Sequence, residues 1–226
     1  MDNPVVMFVL LPLAAYGIGS TPCGVMIARS RGVDLRKAGS GNVGATNVGR
    51  VLGPRWGYLC FALDVFKGLL PVLGASLWMK ATRGDDLPAW PMWQEQLAWL
   101  LVGCGAILGH VLSFWLRFRG GKGVATGLGV VLGIWPYFTL AGLTALALWV
   151  AVTLISRYVS LGSIVAAAAF VPLVILFHLR DWASLWPMIV FGAAMCALII
   201  VRHRTNIVRL VKGTENKIGR KAKAVG

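Results

Sequence analysis

The chain has 226 residues, 58% of them hydrophobic, and a mean hydropathy of +0.75. Soluble domains are about 45–50% apolar, so the composition excludes a water-soluble globular protein and points to an integral membrane one. The formal charge of +14 does not imply nucleic-acid binding, because cytoplasmic loops of membrane proteins already collect Lys and Arg.

The N-terminus, Met1-Asp2-Asn3-Pro4, lacks the positive region of a cleaved signal peptide. It is expected to stay as the first membrane helix, with Asn3 as N-cap and Pro4 at the first helical position. A spanning helix needs roughly 20 apolar residues, and Pro4 to Ala28 supplies one. Residues 29–55 are polar, Gly-rich and basic. Trp56 to Met79 is a second span carrying Asp64 and Lys67, an i,i+3 pair on one helix face. Residues 80–96, with Asp85, Asp86 and Glu95, read as an outer loop. Leu97 to Leu116 is a third span, ending in Arg117-Phe118-Arg119-Gly120-Gly121-Lys122-Gly123.

The apolar run from Val124 to Ile155 is too long for one helix, since it would reach nearly ~50 Å across a core of about 30 Å. Trp135-Pro136 interrupts it. Basic residues stand at both ends, Arg119 and Lys122 before it and Arg157 after it, so the run leaves one side and returns. Two short helices are predicted, about 124–135 and 137–156. Leu161 to Phe177 goes out, His178-Leu179-Arg180-Asp181 turns, and Ala183 to Val201 comes back. The fold class is therefore all-α: one polytopic membrane domain over residues 1–226 with seven transmembrane helices, N-terminus outside and C-terminus cytoplasmic. Eighteen of the 22 Lys and Arg fall on the inner side in this arrangement. Every basic, Gly-rich loop then lies on one face.

Those loops carry the chemistry. Gly39-Ser40-Gly41-Asn42-Val43-Gly44-Ala45-Thr46-Asn47 combines three glycines with short polar side chains, and Arg36, Lys37, Arg50 and Arg55 flank it. It reads as a phosphate cradle built from backbone N–H groups, or as a flexible linker between two helices. Gly120-Gly121-Lys122-Gly123-Val124-Ala125-Thr126 opens a helix, where free N–H groups and the dipole favour an anion and Lys122 adds a full charge. It is no Walker A loop, because Gly follows the Lys where Ser or Thr should stand. Arg157-Tyr158-Val159-Ser160-Leu161-Gly162-Ser163 is a similar turn, whose hydroxyls either cap the helix or bind an oxyanion. Asp64 and Lys67 form a structural ion pair or face a site. His110, deep in the third span, is assigned to a hydrogen bond between helices. His203 and Asn206 share a face of the basic tail just inside the membrane. The four cysteines lie in apolar runs without metal-ligand or disulfide spacing, and neither a metal nor a cofactor is implied. An HxxxxD dyad, a GxSxG elbow and an HExxH motif are all absent.

Taken in order, the loops GSGNVGATN, RFRGGKGVAT, RYVSLGS and RHRTNIVRL resemble those of the membrane-integral bacterial acyl-phosphate:glycerol-3-phosphate acyltransferases, the PlsY family. The resemblance covers nearly the whole chain. It implies acyl transfer from acyl phosphate to the 1-hydroxyl of sn-glycerol 3-phosphate, giving lysophosphatidic acid and phosphate. It also implies seven helices and an active site facing the cytoplasm of a bacterial inner membrane. By the same resemblance Ser40, Thr46 and Arg50 match substrate-binding positions, Lys122 with Gly120, Gly121 and Gly123 matches a glycerol-phosphate site, and Ser160, His203 and Asn206 match the remaining motifs. Glu215 resembles an acid with a structural role. Many members have Pro where this chain has Ser113, which bears on the bend of the third helix.

Catalysis is expected of His203, Asn206, Ser160 and Lys122, and substrate contact also of Gly41, Asn42, Gly44, Asn47, Thr126 and Ser163. Acyl phosphate is already activated, so no covalent nucleophile is needed. His203 is the only ordinary general base among the inner loops, with an unperturbed pKa of about 6.5; the alternative acceptor is a substrate phosphate oxygen. The expected partners are acyl phosphate, glycerol 3-phosphate and membrane lipid, with no nucleic acid. A transporter of phosphorylated organic anions is the alternative, but neither an inverted repeat nor a matching outer set of basic loops is present.

Overall fold

The computed structural model describes residues 4–83 and 93–219. The expected N-cap Asn3 and the outer-loop acids Asp85 and Asp86 lie outside the described residues. The described residues form helices and turns, without strands. In chain order the helices are α1 (Leu11–Gly19, preceded by a π-helical turn Val6–Leu10), α2 (Cys23–Arg29), α3 (Ala45–Leu52), α4 (Pro54–Arg83), α5 (Trp93–Val111), α6 (Val124–Gly133), α7 (Thr139–Ser156), α8 (Val159–Phe177), α9 (Trp186–Arg202) and α10 (Arg204–Val211). Six segments among the described residues are long and apolar enough to cross a membrane: Val6–Arg29, Pro54–Ala81, Trp93–Leu116, Thr139–Ser156, Val159–Phe177 and Trp182–Arg202. α6 is a shorter apolar helix of 10 residues. At 1.5 Å per residue it reaches about 15 Å, half of a ~30 Å hydrocarbon core.

The first span differs from expectation. It is not continuous from Pro4 to Ala28 but breaks at Ser20-Thr21-Pro22 between α1 and α2. Pro22 has no N–H to donate, and its ring excludes a helical partner behind it. The freed carbonyls find side chains: Ser113 Oγ donates to Ser20 O at 2.6 Å, and Lys67 Nζ donates to Thr21 O at 2.9 Å. Without water, each backbone group must be satisfied from within the protein.

Glycine lets the helices touch backbone to backbone. A Cβ on Gly19 or Gly109 would overlap the main chain across the α1–α5 contact. One on Gly68 would overlap Thr126 O, and one on Gly129 would overlap Val65 O, between α4 and α6. Small residues drive helix association in lipid, where apolar side chains gain little by leaving the tails. α6 and α7 are separated at residues 134–138, with α6 stopping two residues earlier and α7 starting two residues later than the sequence predicts. Phe138 in this break is fully buried, edge-on to Phe170 at 5.2 Å.

α5 ends at Val111, and the bend forms without proline. Ser113 is extended (φ −59°, ψ 124°), anchored by its hydroxyl on Ser20. A 3-10 turn (Phe114–Leu116) and two left-handed residues, Arg117 (φ 52°) and Phe118 (φ 61°), reverse the chain. Gly120 N–H then donates to Val111 O at 3.0 Å and Gly121 N–H to His110 O at 3.1 Å. The basic loop is thereby folded back onto the end of α5.

Residues 117–123, 157–160 and 202–219 meet at one end of the bundle. Lys122 bonds Asn206, and Ser160 and Asn206 share Glu215. Leu179, 65% exposed, follows the far end of α8, a helix of 19 residues and about 28 Å. With the native cysteines replaced, single cysteines at Phe118 and Thr214 should react with a membrane-impermeant maleimide from the same side, and one at Leu179 only from the opposite side. Labelling of 118 and 214 from opposite sides would contradict this arrangement.

Candidate active site

The first loop is organised by Asn47. Its Oδ1 accepts the Ser40 N–H at 2.8 Å, while Nδ2 faces Leu35 O, Ala38 O and Asn42 O at 3.3, 3.0 and 2.8 Å. Gly41 N–H donates to Ala38 O, and Gly44 N–H to Asn42 Oδ1 at 2.9 Å. The N–H groups of Ser40, Gly41 and Gly44, three of those expected to cradle an anion, are therefore used within the loop. Gly39 is left-handed (φ +61°), and a Cβ there would overlap the Asn47 side chain, so this glycine serves the fold of the loop. What the loop offers a ligand is side chains: Ser40 and Thr46 are exposed, and Arg50 lies one turn along α3 from Thr46. Arg36 ties the loop to its neighbour, donating to Leu116 O at 3.1 Å and Arg119 O at 3.4 Å.

The second loop is held from two sides. α5 accepts the N–H groups of Gly120 and Gly121, and Arg202 Nη2 donates to both of their carbonyls at 3.1 Å. Gly123, left-handed at φ +85°, opens α6. Lys122 projects from this clamped turn, and its ammonium donates to Asn206 Oδ1.

The tail completes the site around one carboxylate. Glu215 Oε1 accepts from Ser160 Oγ at 3.1 Å and Asn206 Nδ2 at 2.7 Å, and Oε2 accepts from Arg209 Nε at 2.7 Å. Burial alone would raise the Glu215 pKa, but the bonds from Arg209, Asn206 and Ser160 outweigh it and hold the carboxyl below its ordinary value. Lys122 moves the other way, lowered to about 8 chiefly by burial, with Glu215 raising it and Arg209, Arg202 and Arg50 lowering it further. Around Lys122 three further cations face one carboxylate, an excess of positive charge suited to phosphate.

His203 is 3% exposed, at the junction of α9 and α10. Its Nδ1 lies 2.8 Å from Ile199 O. A carbonyl only accepts, so Nδ1 carries the proton and Nε2 keeps the lone pair. Burial first, and then the Lys122 charge, lowers its pKa to about 4. The imidazole is neutral throughout the physiological range. A flat rate between about pH 6 and 8 therefore does not bear on whether His203 takes a proton.

Beneath the cations opens an apolar groove of about 110 Å³ between α6, α7, α8 and α9. Val124, next in chain to Gly123, and Ile199, bonded to His203, line its upper end; Phe170, Phe191 and Gly192 line it deeper.

Most expected residues converge here: Lys122, Ser160, His203 and Asn206 with Arg50 nearby, and Ser40 and Thr46 on the adjoining loop. Others do different work. Asn47 is 1% exposed, with its amide fully engaged. Thr126 is 0% exposed and packs against Gly68 of α4. Ser163 donates to Val159 O and accepts from Trp149 Nε1, joining α8 to α7. These three expected substrate contacts are buried and engaged within the protein. Arg202 and Arg209 were not singled out, although with Asn206 they recur at the four- and three-residue spacing of one helix face.

Comparison with known proteins gives one family. The family described as "Glycerol-3-phosphate acyltransferase" matches residues 9–213. A protein of that name from Geobacter sulfurreducens is 44% identical over 209 residues, covering 92% of this chain and 96% of its own. One from Geotalea daltonii is 43% identical over 214 residues, with the same coverages. Among solved structures, the glycerol 3-phosphate form of PlsY, described as an integral membrane glycerol 3-phosphate acyltransferase, is similar at TM-score 0.78 and 38% identity, covering 93% of this chain and 95% of its own. Its lysophosphatidic acid form is similar at TM-score 0.75 and 37% identity, with the same coverages. With these relatives matching over nearly its full length, the chain belongs to the glycerol-3-phosphate acyltransferase family of integral membrane enzymes.

Proposed function

We propose that the protein transfers a fatty acyl group from acyl phosphate to the 1-hydroxyl of sn-glycerol 3-phosphate, releasing lysophosphatidic acid and phosphate, at the cytoplasmic face of a bacterial inner membrane. The carrying observation is the juxtaposition of the Lys122–Arg50–Arg202–Arg209 cations with an apolar groove that begins beside them. One end of that arrangement suits two phosphates and the other a hydrocarbon chain. The bias of Lys and Arg toward these loops supports the cytoplasmic orientation, with α6 counted as a seventh, short membrane helix and the whole chain as one domain.

In this reading Lys122 binds the phosphate of glycerol 3-phosphate, with Asn206 orienting the ammonium. Arg50, Ser40 and Thr46 face the donor phosphate. Ser160 acts through Glu215, which fixes Asn206 and Arg209. Asn47, Thr126 and Ser163 hold the scaffold. The acyl chain lies in the groove, so the carbonyl carbon sits at its upper end near His203. The glycerol hydroxyl attacks that carbon, and the tetrahedral oxyanion forms among fixed cations in a water-poor site. The acceptor's binding energy and the donor's activation replace a covalent nucleophile.

Purified protein in lipid should convert acyl phosphate and labelled glycerol 3-phosphate to lysophosphatidic acid with stoichiometric phosphate release, and should not use acyl-CoA. Uptake of glycerol 3-phosphate into vesicles without acylation would favour transport instead. Lys122→Ala should raise the KM for glycerol 3-phosphate more than it lowers kcat, because a cation on a non-reacting phosphate binds ground and transition states alike. Loss of a charge-assisted contact of about 1.5–3 kcal/mol corresponds to about ten- to a hundredfold. A change confined to kcat would exclude this role.

The lowered Lys122 pKa gives a signed pH dependence. Below about 8 the ammonium is charged, and above it the charge is lost. Accordingly kcat/KM for glycerol 3-phosphate should fall as pH rises through about 8. Lys122→Arg, whose guanidinium stays charged, should lack that alkaline limb. An unchanged limb in Lys122→Arg would assign it to another group.

Gly192 has space for a side chain only by approaching Phe170 and Val171 at 3.4 Å in the deep part of the groove. Gly192→Leu should lower turnover of long-chain acyl phosphates relative to short ones and leave the KM for glycerol 3-phosphate unchanged. A chain-length profile identical to wild type would put the acyl chain elsewhere.

A further inference from the structure

Behind the Lys122 loop lies a buried polar cluster that the proposed reaction leaves unused. Asp64, Lys67 and His110 are 2%, 6% and 8% exposed. Lys67 Nζ lies 2.7 Å from Asp64 Oδ1, and His110 Nδ1 stands 3.7 Å from the same oxygen. With Ser20, Ser113 and Gly121 they line one small cavity.

Stability alone does not explain a buried ion pair. Taking its charges out of water costs several kcal/mol per ion, and apolar residues of equal volume often serve as well. The contacts of this pair give a different account. Lys67 donates to Thr21 O, a carbonyl exposed by the break between α1 and α2, and α2 leads directly into the first loop. His110 connects Asp64 to the second loop. Its carbonyl accepts the Gly121 N–H, and a Cβ on Gly121 would overlap its Nε2, so the ring is the wall on which the turn rests. Lys122 is the next residue.

We infer that His110 is a positioning residue for Lys122, oriented by the Asp64–Lys67 pair, and that this pair sets the separation between the Lys122 loop and the Gly39–Asn47 loop. The inference rests on the proposed role of Lys122 as a glycerol 3-phosphate ligand. His110 touches no substrate; it acts by keeping the turn pressed toward Asn206. When the wall is lost, the turn relaxes toward α5, and Lys122 leaves its dry seat among Arg50, Arg202, His203, Arg209 and Glu215.

The test compares wild type, His110→Ala, His110→Phe and the double variant Asp64→Leu/Lys67→Met in lipid, with a long-chain acyl phosphate as donor. The double variant removes both charges together, avoiding an uncompensated buried ion. In variants whose thermal unfolding stays near that of wild type, His110→Ala should raise the KM for glycerol 3-phosphate about tenfold, leave the KM for acyl phosphate nearly unchanged, and move the alkaline limb of kcat/KM to higher pH as Lys122 becomes hydrated. Asp64→Leu/Lys67→Met should do the same. His110→Phe keeps a ring against Gly121 and should restore most of the affinity and the wild-type limb. A wild-type KM and limb in His110→Ala would overturn the inference. If His110→Ala does not fold, the same result in the double variant overturns it. Failure of wild type to acylate glycerol 3-phosphate would instead overturn the proposed function.

Discussion

The Glu215 carboxylate is the interaction on which the site depends. Ser160 at the start of α8, Asn206 and Arg209 on α10 and, through Asn206, Lys122 before α6 all hang from it. These groups are mostly cations and donors, and without an anion among them they would repel one another and keep water. One carboxylate is enough to order them and too little to neutralise them. The remaining positive charge is directed at whatever enters, and it is fixed before the ligand arrives, so little reorganisation accompanies binding. Burial would push this carboxyl toward neutrality, but its three donors keep it ionised.

The membrane imposes the second constraint. An apolar solvent leaves no water to satisfy a broken helix, so each break must be met by a side chain. The Ser20–Pro22 break is met by Ser113 and Lys67, and the bend after α5 returns its loop to Val111 and His110. Glycine contacts then bring α4 against α6 and α1 against α5 closely enough that these breaks lie side by side. α6 begins at the basic Lys122 turn and is only 10 residues long, about half of a ~30 Å hydrocarbon core. In the proposed orientation a water-soluble acceptor and a lipid-borne donor therefore approach one point from two phases. The same short helix presents the ammonium-bearing turn at its start and the apolar groove along its length.

Much of this was legible in the sequence because it is written locally. Lys and Arg bias grouped the loops, Trp135-Pro136 marked the separation of α6 from α7, and the spacing of Asp64 and Lys67 gave their pairing. What was not legible depends on partners distant in sequence. The glycine-rich first loop has the composition of an anion nest, yet Asn47, seven residues from Ser40, takes the Ser40 N–H, while Ala38 and Asn42 take those of Gly41 and Gly44. Thr126 follows Lys122 closely but faces α4, because a ten-residue helix pressed on glycines turns that side inward. Pro22 was visible, but the apolar run around it concealed that its neighbours' carbonyls would find partners on α4 and after α5. The depressed pKa of His203 follows from packing and from Lys122, neither of which its basic neighbours in the sequence reveal.

That pKa bears on the fate of the proton in the proposed reaction. The attacking hydroxyl must lose one, and the two candidate acceptors are His203 Nε2 and a phosphate oxygen. His203 is a weak base at about 4, whereas the second ionisation of a phosphate lies near about 6. The stoichiometry points the same way. Hydroxyl plus acyl phosphate gives ester plus hydrogen phosphate, so a proton passed directly to the departing phosphate ends where the products require it. Relayed through His203, the proton would have to create an imidazolium beside Lys122 and then leave again. The position of the ring fits a different task. With Nδ1 fixed on Ile199, Nε2 is a neutral acceptor that can hold the non-reacting 2-hydroxyl of the acceptor, leave the 1-hydroxyl proton free for the donor phosphate, and add no charge to an already cationic site. In the proposed reaction His203 then orients the nucleophile, and the donor phosphate serves as base and leaving group together.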